Sequence, residues 1–312
     1  FCSVKHLVII GQVIPEPKST SAGTRMMQLI GIFSEAGYKI SFLTAANNVE
    51  FSEQIDVHPI EINQESFDDK IKILDPDIVI FDRYVTEEQF GWRVSEHCPR
   101  AVKILDTEDL HFLREARHKA FKEKRDFNHN DLINGVFLRE IASILRCDLS
   151  LIISEFEYEL LTKTFRIDAE ILFYLPLLAE EIEKNTTSFQ KRQHFVSIGN
   201  FLHEPNWQTV LKLKQIWKYI RKNLPEAELH IYGAYATEKV FQLHNEKEGF
   251  LVKGRAVSAD EIFRKYRVLL APIPFGAGLK GKLWESMKFG LPNVTSSVGA
   301  EAMSRDLPWN GF

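Results

Sequence analysis

Within ten positions, residues 276–285 gather three glycines, two lysines and a carboxylate. They lie in the segment Pro274 to Gly299 (PFGAGLKGKLWESMKFGLPNVTSSVG), which follows the apolar run Val268-Leu269-Leu270-Ala271 and leads into a helical pattern. Gly276, Gly278 and Gly281 let a backbone turn tightly and approach a ligand closely. The helix that follows would direct unpaired N–H groups and its positive dipole end at the same loop, an anion site in outline. Lys280 and Lys282 add full positive charge there. Glu285 stands one turn into the helix, where a carboxylate accepts hydrogen bonds from vicinal hydroxyls. Glycines, lysines and then an acid describe a site for a nucleoside diphosphate. The same residues also fit a plain strand-to-helix turn with solvated lysines.

Such a loop needs an open sheet behind it, and the chain supplies two. Short apolar runs alternate with helical patterns, the mark of βαβ units. His6 to Ile10, Tyr38 to Leu43, Asp77 to Phe81, Val102 to Leu105 and Leu149 to Ile153 read as strands of a first series. Several are apolar on consecutive residues, as strands buried on both faces should be. A first helix is predicted over Thr24 to Ala36, with Met26, Leu29, Ile30 and Phe33 on one face and Gly37 as its stop. The polar stretch Ala179 to Gln193 reads as a linker. A second series follows: Phe195 to Ile198, Glu228 to Tyr232, Phe250 to Lys253, Val268 to Ala271 and Pro292 to Thr295. Trp207, Val210, Leu213, Trp217 and Ile220 form the apolar stripe of the helix after its first strand. The predicted organisation is therefore α/β: a domain over 1–178, a linker over 179–193 and a second domain over 194–312. Both domains are Rossmann-like, expected to face each other across a cleft with ligands outside the carboxyl ends of the strands.

Composition narrows the partners. The 312 residues carry a formal net charge of −4, which gives no reason to expect nucleic acid. The three cysteines, Cys2, Cys98 and Cys147, fit neither a disulfide framework nor a zinc site and read as reduced thiols of a cytoplasmic protein. No apolar run approaches the roughly 18 residues that span a bilayer. The absence of an initiator Met and an end in a loop-like stretch suggest a fragment. One basic run, Arg114 to Arg125, sets seven Arg, Lys or His residues against two acids. It reads as a solvated helical surface, with peripheral contact to an anionic membrane as the alternative.

The donor-loop segment resembles the signature of glycosyltransferase family 4, retaining enzymes of the GT-B fold. It is similar to a subgroup reading G-N-x-x-x-x-P-N, then GAG-x-KGK-x-x-E, then GLP-x-V-T-x-x-VGAE. Here these are Gly199-Asn200 with Pro205-Asn206, Gly276 to Glu285, Gly290 to Pro292 and Val298 to Glu301. The resemblance implies a nucleotide-sugar donor held by Gly199, Asn200, Gly233, Arg255, Gly276, Gly278, Lys280, Lys282 and Glu285. Arg255 would lie near the base, or be merely solvated. Pro15 to Arg25 resembles the family's small-residue loop over the donor phosphates, placing Gly23 there; a plain N-cap is the alternative. Asp106 to Arg114 (DTEDLHFLR) resembles the segment beside the acceptor and brings in Asp109 and His111. His111 would orient or deprotonate the acceptor hydroxyl, and Asp82-Arg83 is a further acceptor-side pair. Two departures stand out. Ala277 replaces the first of two glutamates usually spaced eight apart. Asn200 and Pro205-Asn206 stand where many members carry an Arg and a Lys for the diphosphate, so Lys280 and Lys282 are expected to supply that charge.

The expected activity is hexosyl transfer from a nucleotide sugar to a hydroxyl of a glycan, lipid-linked or small-molecule acceptor. Lys280, Glu285 and His111 are the catalytic candidates, and no metal or other cofactor is called for. Two alternatives stay open on the same fold, a nucleotide-sugar 2-epimerase and a non-catalytic donor-binding member. An oxidoreductase is disfavoured, because Gly11-Gln12-Val13-Ile14-Pro15 replaces a G-x-G-x-x-G after the first strand.

Overall fold

Strands apolar on every residue must be covered on both sides, and the first strand shows it: all six residues of β1 (His6–Gly11) are buried. The computed structural model describes residues 4–16, 20–46, 55–179 and 186–303. Its contacts divide the chain into one unit of Phe1–Pro17, Ala22–Ala116 and Phe127–Leu177, and another of Lys18–Ser21, Arg117–Asp126 and Leu178–Phe312.

In the first unit, α1 (Ser21–Glu35) connects β1 to β2 (Lys39–Thr44), followed by β3 (Asp56–Pro59), α2 (Ser66–Leu74) and β4 (Ile78–Asp82). Then come α3 (Tyr84–His97), β5 (Val102–Asp106), α4 (His111–Lys122), α5 (Gly135–Arg146), β6 (Leu149–Ile152), α6 (Glu155–Glu159) and β7 (Leu172–Tyr174). Among the described residues the strands form one parallel sheet in the order β3-β2-β1-β4-β5-β6-β7. Leu7, Ile9, Phe42 and Ile80 of the sheet pack against Met26, Leu29 and Ile30 of α1. The predicted helix stripe is therefore core. β3 and β7 were not predicted: β3 is short and mixed in polarity, and Phe173 and Tyr174 of β7 are exposed at the edge of the sheet.

The second unit runs β8 (Gln193–Ile198), α7 (Glu204–Asn223), β9 (Leu229–Tyr232), α8 (Glu238–Phe241) and β10 (Phe250–Gly254). It continues with α9 (Ala259–Lys265), β11 (Tyr266–Ala271), α10 (Gly281–Lys288), β12 (Asn293–Thr295) and α11 (Ser297–Ala300). Its sheet is parallel, in the order β10-β9-β8-β11-β12. Strand alternation splits its core in two. Leu229, Ile231, Phe250 and Leu270 meet Val210, Leu213 and Trp217 of α7, while Val196, Leu269 and Ala271 meet Ile262, Phe263 and Leu283. The polar stretch read as a linker is partly structural. Arg192 is 1% exposed, and its guanidinium donates to the carbonyls of Phe263 and Tyr266 around the end of α9 and of Phe289 after α10. Residues 180–185 of that stretch lie outside the described residues.

Candidate functional site

The carboxyl end of β8 delivers Gly199, and two neighbouring loops close on it. Asn200 accepts from the Leu202 N–H through its side chain (2.9 Å) and from Asn206 Nδ2 through its carbonyl (2.8 Å). Asn206, in the first turn of α7, turns its Oδ1 to accept from Lys282 Nζ at 2.7 Å. Lys282 stands on the first turn of α10, so its ammonium reaches across to the end of β8. A Cβ on Gly199 would lie 2.8 Å from Asn206 Cγ and 3.0 Å from that Nζ. Gly233, past the end of β9, completes the crossing. Any Cβ there would meet a Phe201 ring carbon at 2.2 Å and the Gly199 carbonyl oxygen at 2.3 Å. Gly199, Phe201, Asn206, Tyr232 and Lys282 together line a closed crevice.

Burial acts on both charged groups at this end of α10. Burial pulls the Lys282 ammonium down to about 8, nearby Glu285 favours its charge and Lys280 opposes it. Burial likewise pushes the Glu285 carboxyl up to about 7, reinforced by Asp260 and opposed by Lys288 and Lys282. A desolvated cation bonded to a neutral amide is a group whose charge an incoming anion would satisfy.

The glycine loop adds backbone geometry. Gly278 has φ +65° and Gly276 φ +154°, where side chains are strained. Lys280 folds back, its Nζ donating to the carbonyls of Ala277 (2.8 Å) and Gly278 (2.7 Å). Spacing treated Lys280 and Lys282 alike; the structure gives one to its own loop and the other to the β8 end. The start of α10 has no side-chain cap, which leaves its first N–H groups for solvent or an anion. Arg255 follows β10 and is exposed.

The basic run is not simply solvated. Residues 117–126 group with the second unit. There Arg117 donates to the Gly276 carbonyl (2.8 Å) and forms a two-point ion pair with Glu301 at 2.6 and 2.8 Å. Leu113, Ala116 and Ala120 are buried along α4, a stripe too narrow and small to stand out against the charges. Arg125 pairs with Glu123 at the surface.

In the first unit, the ends of β4 and β5 are rich in carboxylates. Asp106 is fully buried and receives Arg25 Nε at 2.8 Å, while Arg25 Nη1 donates to the Leu175 carbonyl. Asp82 is 6% exposed; Arg83 Nη1 sits 3.4 Å from its Oδ2, and its Oδ1 has no partner among the described residues. Burial raises the Asp82 carboxyl, Arg83 opposes this, and the Asp106 charge adds to it. Glu108 is raised well above the usual range by burial and then by Asp106 and Asp82. Arg83 and Glu108, the first residues past these strands with room to turn, both hold positive φ (+70° and +63°). The Arg83 N–H thereby bonds the Asp106 carbonyl at 2.8 Å. Strained backbone at strand ends is a recurrent feature of functional sites.

His111 opens α4. Its Nδ1 lies 2.9 Å from the Asp109 carbonyl and 3.3 Å from Glu140 Oε1. Both partners only accept, so Nδ1 carries the proton and Nε2 faces away from them. Tyr84 meets the ring edge-on at 5.3 Å. Burial works to lower the His111 titration, but the Glu140 hydrogen bond and Asp109 outweigh it, and the ring is raised above its ordinary value. Asp109 is itself held by Arg114 through both oxygens, at 2.8 and 2.7 Å. Glu140 was not a sequence candidate. It looks like an ordinary charge on amphipathic α5, and only the fold brings it 29 positions back to the start of α4.

Gly23 has no room for a side chain. A Cβ there would lie 2.4–2.6 Å from the Glu16 backbone, so α1 starts against its own preceding loop. Residues 17–19 of the same loop lie outside the described residues. Among the described residues no group of three or more His, Cys, Asp and Glu side chains is arranged to hold a metal ion, and no helix is long and apolar enough to cross a membrane.

Comparison with known proteins fits this geometry. Residues 192–309 match the family model described as glycosyl transferases group 1. A search of curated proteins returns no match. Among solved structures, sucrose-phosphate synthase from Thermosynechococcus elongatus superposes with TM-score 0.70 at 13% identity, covering 95% of this chain and 82% of that one. The pneumococcal O-GlcNAc transferase GtfA, solved with UDP and GlcNAc, gives TM-score 0.67 at 13% identity, covering 99% and 85%. HepE from Anabaena, solved with UDP and glucose, gives 0.68 at 12% identity, covering 99% and 85%. At such identities the likeness establishes the fold, GT-B. The enzyme class of the chain is thus glycosyltransferase, carried by a group 1 domain at residues 192–309.

Proposed function

We propose that the chain transfers a hexosyl group from a nucleotide sugar to an acceptor hydroxyl, as a retaining enzyme of glycosyltransferase family 4. One observation carries the donor half: the desolvated Lys282 ammonium, held by Asn206 against Gly199 beside the uncapped start of α10. In this reading the donor diphosphate takes the Lys282 ammonium and the α10 N–H groups. Stabilising the departing nucleoside diphosphate is then the main contribution to rate. Glu285, protonated in part near neutral pH, donates to or accepts from the ribose or sugar hydroxyls. Lys280 shapes the loop from within, and Arg255 and Gly233 border the nucleoside. The acceptor, a glycan, a lipid-linked sugar or a small molecule, lies on the side of Asp82, Arg83, Asp109 and His111. No metal or further cofactor takes part, and the reaction is placed in the cytoplasm, with peripheral contact at the inner face of a membrane for a lipid-linked acceptor. Retention and family 4 rest on the motif resemblance from Gly199 to Glu301.

The test is a thermal-shift panel of nucleoside diphosphates and their sugars on the wild type, Lys282→Ala and Glu285→Ala. Stabilisation of the wild type by at least one nucleotide, lost in Lys282→Ala, is the expected result. If no nucleotide shifts the wild type, the donor site is wrong. Proton NMR of the transferred sugar tests retention, since an anomer opposite to the donor's would exclude it.

A further inference from the structure

The acceptor-side histidine is held from a helix that no motif marks. Glu140 lies on α5 and is fully buried. Its Oε1 accepts from the His111 backbone N–H at 3.2 Å, its Oε2 accepts from the Phe112 N–H at 3.0 Å, and Oε1 also stands 3.3 Å from His111 Nδ1. One carboxylate therefore caps the start of α4 and grips the ring of that helix's first residue. The residue before the helix ordinarily caps it, but here that residue is Leu110, whose side chain has no acceptor; the cap comes from another helix, so helix start and ring are fixed by the same group. Among the described residues the remaining ring restraints are the Asp109 carbonyl, the Asp109 carboxylate at 3.5 Å and the edge of Tyr84.

We infer that Glu140 is a positioning residue for transfer, holding His111 with Nδ1–H turned inward and Nε2 presented to the substrate. This rests on the reading of His111 as a functional residue and extends it. Asp109 and Glu140 favour the imidazolium, Arg114 disfavours it, and Asp82 senses it from the end of β4. Tyr84 contributes a ring, over which Arg139 lies at 5.2 Å. Of these only Glu140 touches both the ring and the backbone of residue 111.

The experiment follows the His111 ring by NMR through a pH titration in wild type, Glu140→Gln and Glu140→Asp, with no ligand required. Removing an opposite charge in contact with the ring should lower its titration by about one unit, with Glu140→Asp in between. The same proteins, with His111→Ala, are assayed for turnover of UDP-glucose and UDP-GlcNAc across pH. Glu140→Gln should lower kcat more than it raises KM and move the His111-dependent limb of the profile to lower pH. A His111 titration that Glu140→Gln leaves unmoved, with turnover still lost in His111→Ala, overturns the role of Glu140 alone. Unchanged turnover in His111→Ala overturns the reading of His111, and with it the functional consequence of this contact. A circular dichroism melt of each variant verifies that the fold is retained, and Glu140→Asp carries the test should Glu140→Gln unfold.

Discussion

The two sheets end in opposite electrostatic solutions at equivalent places. Past β4 and β5 of the first unit, Asp82, Asp106 and Asp109 are answered by Arg83, Arg25, Arg114 and the His111 ring. Past β8 and β11 of the second, Lys282 is desolvated with an amide oxygen as its direct partner among the described residues, and Glu285 is desolvated three positions on. The first arrangement is largely paired within itself, with the buried Asp82 Oδ1 and Glu108 Oε1 left over among the described residues. The second leaves a charge that folding does not satisfy, and that charge is useful only to a ligand of opposite sign. Parallel sheets collect loops at one edge whatever the sequence; the side chains there decide whether the edge is scaffold or site.

The largest effect should come from opening the closed side. Arg25→Ala strands the buried Asp106 carboxylate and should cost about 3–5 kcal/mol, read as a lower urea midpoint at an unchanged slope. An unaltered midpoint would mean that the pair adds nothing to the fold. Next is Gly233→Ala, whose Cβ collides with the Gly199 carbonyl. Overpacking of this kind costs about 1–3 kcal/mol and should also abolish nucleotide stabilisation in a thermal shift. Lys282→Ala should weaken UDP binding roughly 10- to 100-fold, the scale of a lost charge-assisted hydrogen bond, with little change in stability. Lys280→Ala should do less, because that amine is already engaged by its own loop. Equal losses by calorimetry would erase the distinction between the two lysines.

The smallest effect is a pH signature. The folded value of Lys282, about 8, lies below its ordinary 10.5. Folding therefore favours the neutral amine, and stability is gained as pH rises from about 8 towards 10.5. Glu285, at about 7 against an ordinary 4.5, works the other way: its contribution is present below 4.5 and lost as pH rises to about 7. The nucleotide-free protein should accordingly gain thermal stability between pH 8 and 10, and Lys282→Met should remove that gain. UDP affinity should fall over the same interval in the wild type and stay level in Lys282→Arg, whose guanidinium keeps its proton. A flat affinity profile in the wild type would show that the Lys282 charge is not what the diphosphate meets.

Much of this was legible beforehand. The ten strands named from apolar runs are all present within a residue or two at each end, because a strand covered on both faces has to be apolar throughout. Asp56–Pro59 carries no such run, and Leu172–Tyr174 lies in the apolar stretch Ile171 to Leu175 that runs straight into Pro176, where the regular alternation stops. Arg192 falls in the polar linker pattern because a guanidinium bound to carbonyls looks like any other surface charge in one dimension.

By itself, the sequence determined the α/β class, the two sheets and the glycine–lysine loop, because periodicity and glycine placement are local properties of the chain. Only the tertiary structure decided which lysine faces the end of β8, that Arg117 is paired with Glu301, and that Glu140 holds His111. Burial and pairing depend on residues far apart in sequence. The glycine loop was visible from the start; how its charges are divided was settled only when α7 and α10 brought Asn206 and Lys282 together.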